Sequence, residues 1–380
     1  MNEHDSTGRL LGRRARRAAL AIVTTASLLV GGWAAGGVGA ISSAVGAAGV
    51  HRASAAVPRP GSFVVAMHGR QIVVQPRGRF GLIPTMGHRL AAAAAQGGPL
   101  FFGGGNAGIG VTIGHPQVFM VFWGSQWGAN STDQAGDTTF SNDPSAAAPF
   151  LQGFFKGLGT NNELWSGVMT QYCEGVAKGA TTCPAGAAHI GYPTGGALAG
   201  VFVDTAQAAP QQASEQQMAA ETVVAAQHFG NTTAASNRSA QYVLVFPTGT
   251  NPGGFNAGGG FCAFHSATGS QFGELAFTNM PYVSDAGGSC GQNLVNPGAA
   301  GVRDGFGLAT SHEYAETITD QVPGGGWVAA DGEENGDLCA FLTNGPGRAQ
   351  NIALSTGSFP VQSTFSNDDG ACAISHPIVT

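Results

Sequence analysis

Charge is what this chain has least of: only 10% of its 380 residues are Asp, Glu, Lys or Arg. Basic side chains are almost missing from the body. Of the 16 Lys and Arg, 11 lie before residue 91, whereas 20 of the 22 Asp and Glu lie after it. Residues 91–380 therefore set 5 basic against 20 acidic side chains, a net of −15. Such a body repels nucleic acid and anionic membrane, and suits a cation, a basic partner or an acidic medium. It equally suits a low-charge secreted protein kept soluble by its acidity. No segment beyond the N-terminal region is apolar enough to span a bilayer. No internal repeat is evident, and no C-x-x-C pair exists to suggest a Cys-rich zinc site. Glycine is abundant instead, at 61 residues, so long irregular connections are expected.

The N-terminal region reads as an export signal. Arg13, Arg14, Arg16 and Arg17 form a basic start, Ala18 to Val30 an apolar stretch, and Ala53-Ser54-Ala55 a small-residue cleavage site. Val38-Gly39-Ala40 is an earlier alternative for the cut. An uncleaved anchor is the competing reading, because the apolar, Gly-rich stretch continues to about Val50; the protein then belongs to the cell envelope. With cleavage at residue 55 the mature chain is secreted, extracellular and free of the membrane. The six cysteines agree with an oxidising compartment. Fifteen pairings are possible; pairing neighbours in order (Cys173 with Cys183, Cys262 with Cys290, Cys339 with Cys372) closes three modest loops and is the expected framework.

Residues 56–108 mix Pro, Gly, Arg and Ala and read as a pro-segment or linker, with a hairpin possible between Phe63-Val64-Val65 and Ile72-Val73-Val74. Residues 109–380 read as a single domain starting near Ile109. Gln117 to Trp123, Gly200 to Asp204 and Tyr242 to Phe246 are near-continuous apolar runs, as buried strands require. Ala213 to Phe229, ending at Gly230, and about Ala300 to Thr319 have helix character. The expected class is α/β, a mixed sheet with flanking helices, Gly-rich loops and disulfides. A monomer is expected.

The chemistry concentrates in Ser311 to Asp320. On a helix, His312 and Glu316 share a face and Glu313 lies beside them. This is the geometry of the H-E-x-x-H zinc helix with Glu in place of the second His. Downstream lies an acidic turn, Asp331 to Asp337, and Glu334 stands 18 residues beyond Glu316, far enough for the chain to return. His312, Glu316 and a carboxylate of Glu334 or Asp337 could hold zinc, with Glu313 as the base that takes a proton from water. The substrate would be an extracellular peptide or protein. An oxygen-rich donor set also suits calcium, and a purely structural cluster that fixes the acidic turn is the bland alternative. His265 is a further candidate ligand or donor, although a His beside a Gly-rich loop is more often a satisfied loop residue; His115 is weaker. Gly287 to Gly291 matches G-x-S-x-G without a strand–turn–helix context, and Gly103 to Gly108 matches G-x-G-x-x-G with no helix after it.

The H-E-x-A-E-x-x-T segment, Trp327 and the E-x-x-D-x-C skeleton of Glu334, Asp337 and Cys339 resemble the C-terminal signature of the Exordium or phosphate-induced-protein family. Val118 to Gly124 resembles that family's first core strand. Tyr242 to Val245 leading to Gly260-Phe261-Cys262-Ala263-Phe264-His265 resembles its strand and G-F-C…F-H loop. The resemblance covers roughly residues 110–345. It implies an extracellular protein with a shared site at His312, Glu313, Glu316, Thr319, Glu334 and Asp337, and leaves open whether that site turns over or is non-catalytic. Asp320-Gln321 departs from the family's pattern, which often has a Pro here, and should affect only the helix exit.

Overall fold

The continuous apolar run at Gln117–Trp123 forms a central strand, buried from Val118 onward because both of its faces are covered. The computed structural model describes residues 61–87, 98–255 and 260–380; the expected export signal lies outside them. Eight strands make one mixed sheet. They are β1 (Phe63–Met67), β2 (Arg70–Pro76), β3 (Phe80–Pro84), β4 (Gln117–Trp123), β5 (Leu198–Asp204), β6 (Ala240–Val245), β7 (Phe261–Ser270) and β8 (Gly273–Met280). The order is β1-β2-β7-β8-β6-β4-β5, with β3 also paired to β7. β5, β4, β6 and β8 run parallel; β7 is antiparallel to β8, and β2 and β3 are antiparallel to β7. The class expected from the sequence is thus the class observed.

Three longer helices complete the layers: α1 (Ala147–Gly157), α2 (Glu215–His228) and α3 (Asp304–Thr319). Each start has a physical cause. The Asp143 carboxylate accepts the Ala147 and Ala148 N–H groups, both at 2.8 Å, at the head of α1. Ser214 and Gln217 form a reciprocal capping box on α2. In α3, Asp304 sits in the first turn and accepts from the Val295 and Asn296 N–H groups. Adjacent residues of β6 show that α2 and α3 cover opposite faces. Tyr242 Oη accepts from Asn231, just past α2, while Gln241 donates to Thr317 of α3. Tyr314 of α3 packs on Phe155 of α1 and on Trp165.

The sequence reading placed the start of the compact domain near Ile109. The compact unit runs Ala56–Thr380, and the stretch expected as a pro-segment or linker supplies β1, β2 and β3 to the sheet. The reason is register. β1 and β2 form the expected hairpin, with Phe63 opposite Val74 and Val65 opposite Ile72. β3 alternates exposed Phe80 and Leu82 with buried Gly81 and Ile83, so one of its faces seals onto the body.

All three expected disulfides are present: Cys173–Cys183, Cys262–Cys290 and Cys339–Cys372. Cys262–Cys290 joins the start of β7 to the turn that precedes α3. Cys339–Cys372 anchors the acidic turn to the C-terminal strands. Replacing Cys339 and Cys372 together by Ser should therefore lower the melting temperature, with a loss of about 3–4 kcal/mol for a loop of this length. Calorimetry under non-reducing conditions is the check.

Candidate functional site

Every residue of α3 is buried, including its hydroxyl, imidazole and carboxyl groups. A helix so placed must satisfy its polar side chains internally. Hydroxyls do so by bonding back along the helix: Thr317 to the Glu313 carbonyl at 2.7 Å and Thr319 to the Ala315 carbonyl at 2.9 Å. His312, Glu313 and Glu316 cannot, and they project into one enclosed space.

The chain returns to that space through Asp320. Its carboxylate accepts the N–H groups of Gly324, Gly325 and Gly326 at 2.6, 3.0 and 2.5 Å, a glycine cradle that ends α3 and reverses the chain. Trp327 follows, its indole N–H donating to the Cys173 carbonyl, and the acidic turn then closes over the helix. The Asp337 N–H donates to Glu316 Oε1 at 2.9 Å. Gly336 permits this approach, because a β-carbon there would press on the Glu316 carboxylate and the His312 ring.

The four residues expected as ligands, His312, Glu316, Glu334 and Asp337, are thus brought together with Glu313 beside them. His312 Nε2 lies 3.0 Å from Glu316 Oε1 and 3.5 Å from Asp337 Oδ1. His265 joins them. It is no loop residue: it lies within the ten-residue strand β7, fully buried, with Nε2 2.8 Å from Glu334 Oε2 and 3.9 Å from Glu316 Oε2. Two donor triads result, His312–Glu316–Asp337 and His265–Glu316–Glu334, and Glu316 belongs to both. His115 is not part of the site; its ring faces the Thr194 carbonyl.

Gln362, which carried no sequence signal, fixes the imidazole. Its side-chain N–H donates to the Gly336 carbonyl at 2.9 Å, which leaves its Oε1 to accept from His312 Nδ1 at 3.2 Å. The Nδ1–H tautomer assigned by that network turns the Nε2 lone pair toward Glu316 and Asp337. Two acceptors so close need a proton or a cation between them. The same holds elsewhere in the pocket, where Glu316 Oε2, Glu334 Oε1 and both Glu313 oxygens are buried without a full hydrogen bond. The donor chemistry and these buried acceptors fit a divalent cation.

Electrostatics follow from this crowding. Burial pushes the Glu313, Glu316 and Glu334 carboxyls well above the usual range, and neighbouring carboxylates add to it in each case. For Glu313 these are Glu316 and Asp337, partly offset by the Ile83 backbone N–H. Burial, then Glu316, raises Asp337 to about 8; burial raises Asp320 to about 6 against the pull of its glycine N–H donors. Burial, then the neighbouring His312 imidazole, lowers His265 to about 3.

The lid on the site is β3. Pro84, Ile83 and Phe80 pair with Phe261, Ala263 and His265 of β7. Gly81, at φ +48, lies against the Glu316 carboxylate and the His265 ring, where any side chain would collide. His265, His312, Glu313, Glu316 and Glu334 are consequently all at most 1% exposed.

Two outcomes are expected. Gly336→Ala should destabilise the fold by about 1–3 kcal/mol through overpacking against His312 and Glu316, measured by denaturant titration. In chelator, the raised carboxyls hold more protons folded than unfolded. Their stabilising contribution is full below about pH 4 and is lost as pH rises toward about 8. His265, depressed, contributes oppositely: its share is present above its ordinary value of 6.5 and lost toward pH 3. The melting temperature of the chelated protein should fall from pH 5 to pH 8, the carboxyls outnumbering the His. Saturating divalent metal should flatten the profile.

Compared with protein-family models, with curated proteins and with solved structures, the chain finds no match in any of the three.

Proposed function

We propose that this protein is an exported, metal-dependent hydrolase of peptide bonds. The single observation that carries this reading is the convergence of two imidazoles and three carboxylates on one pocket, with the Glu313 carboxyl adjacent. His312, Glu316 and His265, with Glu334 or Asp337, would hold the ion. The addition of His265 favours a catalytic ion, because two imidazoles leave a zinc ion more electrophilic than one imidazole with two carboxylates. Zinc is the favoured ion for that reason, calcium being better served by oxygen donors alone. Bound there, the ion would polarise the scissile carbonyl and acidify a water molecule.

The chain's own residues supply the rest. Glu313 takes a proton from the attacking water at its carboxylate and passes it to the departing amine, so the peptide C–N bond breaks as the new C–O bond forms. A nearby dication favours the ionised Glu313 that this step needs, against the burial that otherwise holds it protonated. Gln362 holds His312 in the required tautomer. The segment carrying β3 acts as an inhibitory pro-segment: it occupies the β7 edge, where an extended substrate would add as a strand. Export is supported by the three disulfides. Among the described residues no helix is long and apolar enough to cross a membrane.

A second reading, a non-catalytic extracellular protein of the Exordium type with a structural or calcium-holding cluster, draws on the near-complete burial of the site. One experiment separates the two. A specific protease site is placed between residues 87 and 98, and casein hydrolysis is measured before and after cutting and release of the N-terminal segment. Hydrolysis should appear only after release, and Glu313→Gln should reduce it about 10²–10⁴-fold while bound metal stays unchanged. Metal bound with no hydrolysis after release would favour the second reading.

A further inference from the structure

A second cluster lies away from α3, where the tip of the β1–β2 hairpin reaches the body of the protein. His68 Nε2 is 3.0 Å from Asp204 Oδ2 and 3.6 Å from Glu221 Oε2. The three come from different elements. His68 is in the two-residue turn between β1 and β2, Asp204 ends β5, and Glu221 is in the middle of α2. The carboxyl end of a parallel strand is a common place for ligands.

We infer that His68, Asp204 and Glu221 form a second divalent-cation site, built between the N-terminal hairpin and the body. Three observations carry it. The first is burial with little compensation: Glu221 is 0% exposed and Asp204 4% exposed, and beyond each other and the His68 imidazole neither Glu221 oxygen nor Asp204 Oδ2 has a hydrogen-bond partner. Two carboxylates taken from water with no donors cost several kcal/mol each unless a proton or cation joins them. The second is convergence, with one atom from each residue within 4.8 Å of the others. The third is local. His68 has φ 48 and Gly69 φ 71, so the turn needs the left-handed region twice. Asn or Gly suits the first position best; a His there accepts some strain and delivers an imidazole to the carboxylates.

The donor set specifies the ion class. Two carboxylates neutralise one dication, and an imidazole favours zinc over calcium or magnesium, with manganese between them. His68 is 25% exposed, which leaves a side open for water ligands. The ion would tie the hairpin to β5 and α2. This site is independent of the α3 pocket and shares no residue with it.

The test uses the intact full-length chain, stripped with chelator and titrated with Zn²⁺ and, separately, Mn²⁺ by calorimetry and by metal analysis after gel filtration. His68→Ala and Glu221→Gln should each bind one equivalent less than wild type and lose part of the metal-induced rise in melting temperature. His312→Ala should leave that equivalent in place, so failure of the α3 pocket to bind metal is read separately. His68→Ala, in a partly exposed turn, guards against an uninformative folding defect in Glu221→Gln. Equal stoichiometry and an equal metal-induced shift in wild type, His68→Ala and Glu221→Gln would overturn the inference. So would a wild type that binds no metal outside the α3 pocket while metal-free Glu221→Gln keeps the full wild-type melting temperature, which would mean that the two carboxyls simply share a proton.

Discussion

Putting ionisable side chains where water cannot reach them is the constraint around which this fold is organised. Glu313, Glu316, Asp320 and Glu334 are all buried to within 1% of completely, and two imidazoles share their space. An isolated buried carboxylate costs several kcal/mol. The protein meets this cost in two ways. At Asp320 it uses backbone: three consecutive glycine N–H groups surround the carboxylate, and the helix exit is shaped by that cradle. At Glu316 the backbone supplies donors only from the acidic turn, at Asp337 and Gly336. The rest of the pocket is left with acceptors facing acceptors, an arrangement that a cation relieves.

Close approach is the second half of the same constraint. The acidic turn reaches α3 only because residue 336 has no side chain, and β3 crosses the pocket only because residue 81 has none. Covalent ties hold both ends of the arrangement, at Cys262–Cys290 beside β7 and Cys339–Cys372 beside the acidic turn. Glycine abundance is therefore more than loop filling. At these two positions it sets how tightly chain segments close over charged groups.

The N-terminal segment has a double relation to the body. β3 covers the α3 pocket through Gly81 and Ile83, and the β1–β2 turn delivers His68 to Asp204 and Glu221. Under the proposed readings, a segment that blocks one metal centre is held down by another. Release of the cover is then coupled to the ion at the hairpin tip, because losing the cation would leave two buried carboxylates without a counter-charge.

Much was legible in the sequence where the signal is local. The apolar runs at Gln117 to Trp123 and Tyr242 to Phe246, the helix ending before Gly230, the motif helix and the order of the disulfides follow from periodicity, capping and loop length. So does the pairing of His312 with Glu316, which one turn of helix enforces. The meeting of the acidic turn with that helix was partly legible, since 18 residues suffice for a return. Only the tertiary structure decided the rest. His265 enters the pocket through strand pairing of β7, which brings it beside residues far along the chain, and Gln362 orients His312 from 50 positions away. In the segment read as a pro-segment or linker the β1–β2 hairpin was legible, but its joining to the sheet and the strand β3 were not, because they depend on the edge that β7 offers. Local pattern fixes which groups share a face; which faces meet depends on the packing of the whole chain.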